Sequence, residues 1–514
     1  MQEEKIKSIA DLLYAAADEY GDKIYLRQKA GKEIAEKTFR AFGEDAGKVA
    51  SFLKKAGCGE KVHAGFAGTT SIAYLTCLMG TFISGGVGVP IDPQLSPAEL
   101  MDNLNRADVS VFFYDPAFAP LLDTMKQVCP GIKQYVSLAK KADEFACEDI
   151  LANEQPAAPV GIAQTDLACI LFTSGTTGKS KGVMLSHGNM IDNVFCCDNE
   201  SNGDSVLLSV LPIHHAYCLD CDILLSLRYG AQLCINDSIM HVVQNIRFFG
   251  VTTILLVPLI VETMYRKIDA MHRMKPDVPM TELKTAVFGD KLRVIFCGGA
   301  FLAPKITEAY KEMGIPVLQG YGMTETSPRI TSSSLNDPTT GVDVGRVVKR
   351  CQVKIVDGEV LVKSPSVMMG YYHDEERTKE MFTEDGWLKT GDLGYVKDER
   401  IYLTGRKKNL IILSNGENVS PEELENYFAG EEWAAEVMVY SEEEQITVEV
   451  YPFPEYADQA ETLFRRKVEE INASVPSARK ILRLRLRDTE FSKTTSKKIK
   501  RQQPGEKGKL LPAK

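Results

Sequence analysis

The stretch Leu171-Phe-Thr-Ser-Gly-Thr-Thr-Gly-Lys-Ser-Lys-Gly182 holds the densest set of groups able to bind an anion. Gly175, Gly178 and Gly182 permit positive φ angles and close backbone approach, so amide groups can converge on one ligand. Thr173, Ser174, Thr176 and Thr177 add hydroxyl donors, and Lys179 and Lys181 add positive charge. In composition this is a cradle for a polyphosphate. Gly178-Lys179-Ser180 imitates the end of a P-loop, but the first glycine of that pattern falls on Thr173. A P-loop lysine also opens a helix, whereas here the apolar strand signal Val183-Met-Leu185 follows at once. The P-loop is excluded.

Other reactive residue types stand in short stretches further along. They are Pro212-Ile-His-His215, Gly298-Gly-Ala300, Gly320-Tyr-Gly-Met-Thr-Glu-Thr326, Thr390-Gly-Asp392, Gly405-Arg-Lys-Lys408 and Lys493-Thr-Thr-Ser-Lys-Lys-Ile-Lys-Arg501. Cys218-Leu-Asp-Cys221 lacks a second pair or histidines at zinc spacing, so it reads as buried structural thiols.

The elements that must position these stretches alternate in type. Apolar spacing predicts helices over 6–20, 39–56 and 76–84, and short strands over 62–67, 109–114 and 167–172. Ser186 is placed to cap a helix over 187–195. From 166 to about 400 the pattern repeats strand, glycine turn, helix, with strands over 206–211, 251–257, 292–297 and 317–319. The last of these is expected to break at Gly320-Tyr-Gly322. Such alternation predicts an α/β fold with parallel-rich sheets and ligands at the carboxyl ends of strands. Ser420-Pro-Glu-Glu423 predicts a capped helix start. Strands over 437–440, 446–451 and 481–487 and a helix over 457–474 predict a compact α+β unit at the end of the chain. The expected division is a large domain over 1–407 and a small mobile one over 408–514.

With 514 residues and 44% hydrophobic content the chain can bury more than one core. A net charge of −10 gives no footprint for nucleic acid. No apolar signal-peptide core follows Met1-Gln-Glu-Glu-Lys, no run reaches membrane-spanning length, and twelve scattered cysteines fit reduced thiols. A cytoplasmic protein is expected. Residues 465–514 carry 16 Lys/Arg against 5 Asp/Glu, which predicts a basic face attractive to anionic partners.

The ordered set of motifs resembles the adenylate-forming superfamily of acyl-CoA synthetases, carrier-protein adenylation domains and beetle luciferases. The resemblance spans nearly the whole chain, and its wording is most similar to medium- to long-chain fatty acyl-CoA ligases. It implies a carboxylate attacking the α-phosphorus of ATP, release of pyrophosphate, and capture of the acyl-adenylate by a thiol. The cradle from Thr173 to Lys181 is then expected to hold the β and γ phosphates, Thr324 the α-phosphate, and Glu325 a Mg²⁺ ion. Tyr321 is expected to stack on adenine, between Gln319, Gly320 and Gly322 and the wall Gly298-Gly299-Ala300. Asp392 matches the ribose ligand and Arg406 a second nucleotide contact. Lys498 matches the catalytic lysine, although Lys497 stands where the family usually has Gly. Lys408 matches the hinge between adenylation and thiolation poses, and His214-His215 the pair flanking the acyl site, with His215 taken as catalytic. No Asp follows that pair at the place where amino-acid-activating relatives hold an α-ammonium. The resemblance therefore implies a fatty acid ligase using ATP, Mg²⁺ and CoA. Loading an acyl carrier protein's phosphopantetheine is one alternative; a nucleotide-binding regulator with a degenerate site is another.

Overall fold

A computed structural model describes residues 1–514 apart from 57–60, 142–143, 159, 174–178, 198–199, 414–415, 494–498, 502–503 and 513–514. Among the described residues thirteen strands form one sheet and seven another. The parallel part of the larger sheet runs Ile24–Ala30, Gln232–Ile235, Val206–Ser209, Thr253–Leu256, Val294–Gly298, Val317–Gly322. From Arg329–Ser332 onward the sheet continues antiparallel through Arg400–Arg406, Leu388–Lys397 and Glu359–Lys363. In the smaller sheet Val111–Tyr114, His63–Ala67, Val87–Ile91 and Leu167–Thr173 are parallel, and Lys181–Ser186 and Gly370–Tyr371 close one edge antiparallel. This is the α/β, parallel-rich architecture expected from the alternating pattern.

Helices Ile9–Tyr20, Phe39–Lys55, Ile72–Ile83 and His187–Phe195 contribute to one core that also takes Leu26 and Leu233 from the larger sheet and Phe66 and Leu171 from the smaller. Their starts follow local chemistry. Ser8 Oγ accepts the Asp11 N–H at 3.1 Å while Asp11 accepts the Ser8 N–H at 2.8 Å. Ser186 and Asn189 repeat the exchange at 3.0 and 2.9 Å. No helix of the described residues is long and apolar enough to cross a membrane.

His187, first in its helix, is fully buried and accepts the Ile9 N–H on Nδ1 at 3.3 Å. Burial lowers its pKa from the ordinary 6.5 to about 4. The unfolded chain binds a proton near pH 6.5 that the folded chain refuses until about 4. The stability given by neutral His187 is therefore full above pH 6.5 and is lost as pH falls toward 4, at up to about 1.4 kcal/mol per pH unit. Urea midpoints measured across that window should fall with acid in the wild type and fall less in His187→Gln.

The expected strand break at Gly320 does not occur: the strand runs through Gly322. These glycines serve close approach instead. A Cβ on Gly320 would lie 3.0 Å from the Thr331 carbonyl of the neighbouring strand, and one on Gly322 would overlap the Pro328 carbonyl just before that strand.

After Asn409 the chain builds a separate four-stranded sheet from Ala434–Glu442, Gln445–Pro452, Arg483–Leu486 and Lys509–Leu510. Its own core includes Trp433, Val448, Val450, Phe464 and Val468. Ser420 stands before the helix Pro421–Asn426 as expected, but its hydroxyl donates to Glu422 Oε2 at 3.0 Å and caps no N–H. Contacts with the preceding part of the chain include the Arg273–Glu432 ion pair at 2.6 Å and Arg266 stacked 3.8 Å from the Phe453 ring centroid.

The basic face expected over 465–514 is largely consumed. Residues 409–464 contain 14 Asp/Glu and no Lys/Arg, and they fold against the basic strands. Arg485 and Lys507 pair with Glu442 at 2.8 and 2.6 Å, and Arg487 pairs with Glu449 at 2.8 Å in the interior. Arg501 reaches Glu425, Lys493 reaches Glu436, and Arg479 lies 3.2 Å from Glu417. Counting charge along a window missed the acidic strands that neutralise it in space.

Candidate active site

The cradle hairpin leaves the smaller sheet at Thr173, which lies opposite Lys181. Residues 174–178, hence Ser174, Gly175, Thr176, Thr177 and Gly178, lie outside the described residues. Lys179 is exposed, and the strand Lys181–Ser186 returns antiparallel, which bears out the rejection of a P-loop. Helix Pro97–Arg106 holds the base of the hairpin. Ser180 donates to Asn103 Oδ1 at 2.7 Å, and Arg106 Nη2 donates to the Ser180 carbonyl at 2.8 Å.

Lys181 Nζ sits 4.8 Å from the centroid of the Tyr371 ring. The Tyr371 hydroxyl donates to Glu325 Oε1 at 2.8 Å, and burial together with Glu325 pushes that phenol's pKa up, so the proton stays. Glu325 is 8% exposed and lies on the short 3-10 turn Thr324–Thr326. Among the described residues its other carboxylate oxygen has no partner, and no cluster of three or more His, Cys, Asp or Glu could hold a metal alone. One hard, partly committed carboxylate fits a Mg²⁺ ion that takes its remaining ligands from water and phosphate.

The turn that carries Thr324 and Glu325 is clamped from behind. Asn193, fully buried, donates to the Thr326 carbonyl at 3.1 Å and to the Arg329 carbonyl at 3.2 Å, and accepts from Arg329 Nε at 3.0 Å. Asn193, Arg329 and Tyr371 were not singled out from sequence. Their partners lie far along the chain, so no local pattern marks them.

Tyr321 donates its hydroxyl to Asp392 Oδ2 at 2.8 Å, and Arg406 Nε lies 2.9 Å from Asp392 Oδ1. Asp392 and Arg406 are directly opposite on neighbouring strands. Burial and then Asp392 push the Tyr321 phenol's pKa upward, keeping it a donor. Gly391 N–H and Lys407 Nζ both reach Glu359, at 3.0 and 2.8 Å, and so fix the bend beside Asp392. Gly298 pairs with Gly320 across the sheet and is buried, whereas Gly299 and Ala300 are exposed at the rim. Gln319, two residues before Tyr321 on the same strand, donates its amide to Thr339 Oγ1 at 3.4 Å.

Lys408 lies in the 3-10 turn Lys407–Asn409. Half-burial, then the charges of Arg406 and Lys181, pull its pKa below the ordinary lysine range, with Asp392 and Glu422 opposing. Three cations from two separate stretches thus feel one another where an anion would relieve them. Lys498 and Lys497 lie outside the described residues.

His214 and His215 follow strand Val206–Ser209, with ring centroids 4.4 Å apart. His214 Nε2 lies 3.7 Å from Asp92 Oδ2, just past strand Val87–Ile91 of the other sheet. Burial lowers the His214 pKa and Asp92 partly restores it. Asp220 is buried against Arg329 at 3.3 Å.

A sequence profile described as AMP-binding enzyme matches residues 13–372. The 2-succinylbenzoate–CoA ligase of Bacillus cereus is 30% identical over 377 residues, covering 69% of this chain and 70% of its own length. The 4-coumarate–CoA ligase of Pinus taeda is 29% identical over 419 residues, covering 74% and 73%. The long-chain-fatty-acid–CoA ligase 6 of Mus musculus is 28% identical over 436 residues, covering 72% and 62%. Among solved structures, an anthranilate CoA ligase in complex with anthranoyl-AMP shares the fold with TM-score 0.83 at 20% identity, over 98% of both chains.

Proposed function

The chain belongs to the AMP-binding enzyme family, and on that premise we propose that it is an AMP-forming acid–thiol ligase. It activates a carboxylic acid with ATP as an acyl-adenylate and passes the acyl group to the thiol of CoA. The observation that carries this reading is the meeting of distant motifs. Asp392, Tyr321 and Arg406 form one hydrogen-bonded group, and past the end of the same strand Glu325 is hydrogen-bonded to Tyr371, whose ring carries the Lys181 ammonium.

In this reading the adenine lies on Tyr321 beside Gly320, Gly322 and the Gly298-Gly299-Ala300 rim, and Asp392 accepts the ribose hydroxyls with Arg406 alongside. Thr324 faces the α-phosphate, and Thr173, Lys179 and the intervening hairpin residues take the β and γ phosphates. Glu325 would hold Mg²⁺, which would supply charge neutralisation at phosphorus. Lys181, Arg406 and Lys408 add positive potential where negative charge gathers, and such preorganised charge is the main source of catalysis in phosphoryl chemistry. Lys498 bridges the attacking carboxylate and the α-phosphate. His215 stands at the acyl end of the site.

The acid is proposed to be a fatty acid. Asp220, the first carboxylate after the His pair, is buried with one oxygen 3.3 Å from Arg329, and it lies beyond the place where amino-acid-activating relatives hold an α-ammonium. Acid-dependent ATP–pyrophosphate exchange over a panel of straight-chain and aromatic acids, followed by mass detection of CoA thioester, tests both levels. Exchange and thioester with straight-chain acids are expected. Preference for aromatic acids would overturn the fatty acid reading alone. Thioester on a phosphopantetheinylated carrier protein but not on CoA would move the acceptor, and no exchange with any acid would leave a nucleotide-binding regulator.

The hinge role of Lys408 gives a further expected result. A 3-10 turn has φ near the value that proline imposes, and as the second residue of its turn Lys408 is at a position whose N–H has no acceptor within the turn. Lys408→Pro should therefore hold the present pose, with some strain passed to Lys407. Pyrophosphate exchange should survive while thioester formation from supplied acyl-adenylate collapses. Equal loss of both half-reactions would place the pivot elsewhere.

A further inference from the structure

Behind the nucleotide side of the site lies a cluster that the ligase reaction does not use. Cys196 is fully buried, and Cys197 beside it is partly exposed. Arg329 Nη1 donates to Cys197 Sγ at 2.9 Å, and Arg228 Nη1 donates to the Cys197 carbonyl at 2.9 Å. Cys197 opens on a cavity of about 610 Å³ shared with Ser332, Asn336, Asp337, Arg346 and Lys349. Asp220, whose pKa burial pushes well up, lies 3.3 Å from Arg329, and the Arg228 charge also faces the thiol pair.

We propose that Cys197 is a site of reversible oxidation by small peroxides, read out through Arg329. Thiolates, not thiols, attack peroxides, and a partly exposed sulfur next to a guanidinium is where a thiolate forms. A hydrogen bond from Cys196 lowers the Cys197 pKa, burial opposes it and the Arg329 charge adds to the lowering, while Cys196 is raised and keeps its proton. In the step, the Cys197 thiolate attacks one peroxide oxygen, an S–O bond forms, the O–O bond breaks and hydroxide leaves. The sulfur becomes a sulfenic acid and loses two electrons to the peroxide. A dithiol reverses it, giving the free thiol, a disulfide and water.

The change reaches the active site through contacts already described. Loss of the thiolate removes an anionic partner from Arg329. That residue stands opposite Gly322 in the sheet and is bonded to Asn193, which holds the Thr326 carbonyl. The turn carrying Glu325 should loosen, and adenylation should slow.

The modification itself stands apart from the ligase reading; only its effect on exchange rests on it. Native protein treated with limiting hydrogen peroxide and dimedone, then mapped by peptide mass spectrometry, tests the site. The control thiol is Cys351, the other partly exposed cysteine among the described residues, which burial pushes up to about 12. Cys197 is expected to label roughly tenfold faster than Cys351. Exchange should fall several-fold and return with dithiothreitol, and Cys197→Ser should keep its exchange rate through the same dose. Labelling of Cys351 as fast as Cys197 would overturn the site, and this competition in wild-type protein decides even where the variant does not fold. Full labelling at Cys197 with unchanged exchange, and unchanged AMP affinity by calorimetry, would overturn the coupling to Arg329. Should the protein show no exchange with any acid, the labelling ratio and the AMP affinity still decide.

Discussion

Glu325→Gln is expected to slow acid-dependent ATP–pyrophosphate exchange roughly 10²–10³-fold while leaving the fold intact. The substitution preserves shape and keeps a carbonyl oxygen able to accept the Tyr371 hydroxyl, now bonded at 2.8 Å. What it removes is the negative charge of a carboxylate that is only 8% exposed, in a place where little water can replace it. If that charge holds a divalent cation against the substrate's phosphates, the variant should need more Mg²⁺ for half-maximal exchange, and its rate should climb with Mg²⁺ after the wild type has saturated. Tyr371→Phe separates charge from aim: it deletes one hydrogen bond to a charged group, worth about 1.5–3 kcal/mol, and keeps the carboxylate. A smaller loss with an unchanged Mg²⁺ dependence is expected there. Wild-type exchange in Glu325→Gln at limiting Mg²⁺ would remove Glu325 from the metal role. A Tyr371→Phe loss equal to that of Glu325→Gln would make orientation of the carboxylate the controlling factor.

Glu325 was legible because its neighbours are. Gly320-Tyr-Gly-Met-Thr-Glu-Thr326 is a contiguous string, and the alternation of strands with helices already placed such strings at the carboxyl ends of strands. Tyr371, Asn193 and Arg329 were not, for a physical reason. Each acts through a partner 46 or more residues away, Tyr371 on Glu325, and Asn193 and Arg329 on each other 136 residues apart. Pairing at that range leaves no periodic trace. The glycines at 320 and 322 carried a real signal with two readings, a turn or a close approach. Only the neighbouring strand and the residue just before it, with the Thr331 and Pro328 carbonyls against them, choose between the two. Charge behaved the same way. The run over 465–514 reads as a basic surface until the acidic strand Ala434–Glu442 joins the same sheet, one strand away, and Glu442 at its end collects Arg483, Arg485 and Lys507.

Lys498→Ala is expected to abolish formation of the adenylate from ATP, by roughly 10³-fold or more, and to leave conversion of supplied acyl-adenylate and CoA to thioester near the wild-type rate. Only the first half-reaction gathers charge between an attacking carboxylate and the α-phosphate, so only that half needs an ammonium there. Lys498 lies outside the described residues, but its neighbours bracket it. Lys493 is already committed to Glu436 and to Glu490, the latter at 2.7 Å, and forms a β-bridge with Ile499. It is therefore a poor substitute for a lysine that must reach substrate. Lys500 contributes to the lowered pKa of Glu99, after the stronger hydrogen bonds from Ser96. Glu99 is on the helix whose Asn103 and Arg106 hold Ser180 at the base of the cradle hairpin. Lys500 is thus within electrostatic reach of the element that positions the proposed phosphate site. Lys497→Gly, which restores the residue usual in the family, should leave exchange unchanged or raise it. Lys493→Ala should act on stability, through its ion pairs, before it acts on rate. If Lys497→Ala stops exchange and Lys498→Ala does not, the register is one residue earlier. If all three lysine variants exchange normally, the catalytic cation must come from the Lys181, Arg406 and Lys408 group, and Lys181→Ala becomes the substitution that stops adenylation.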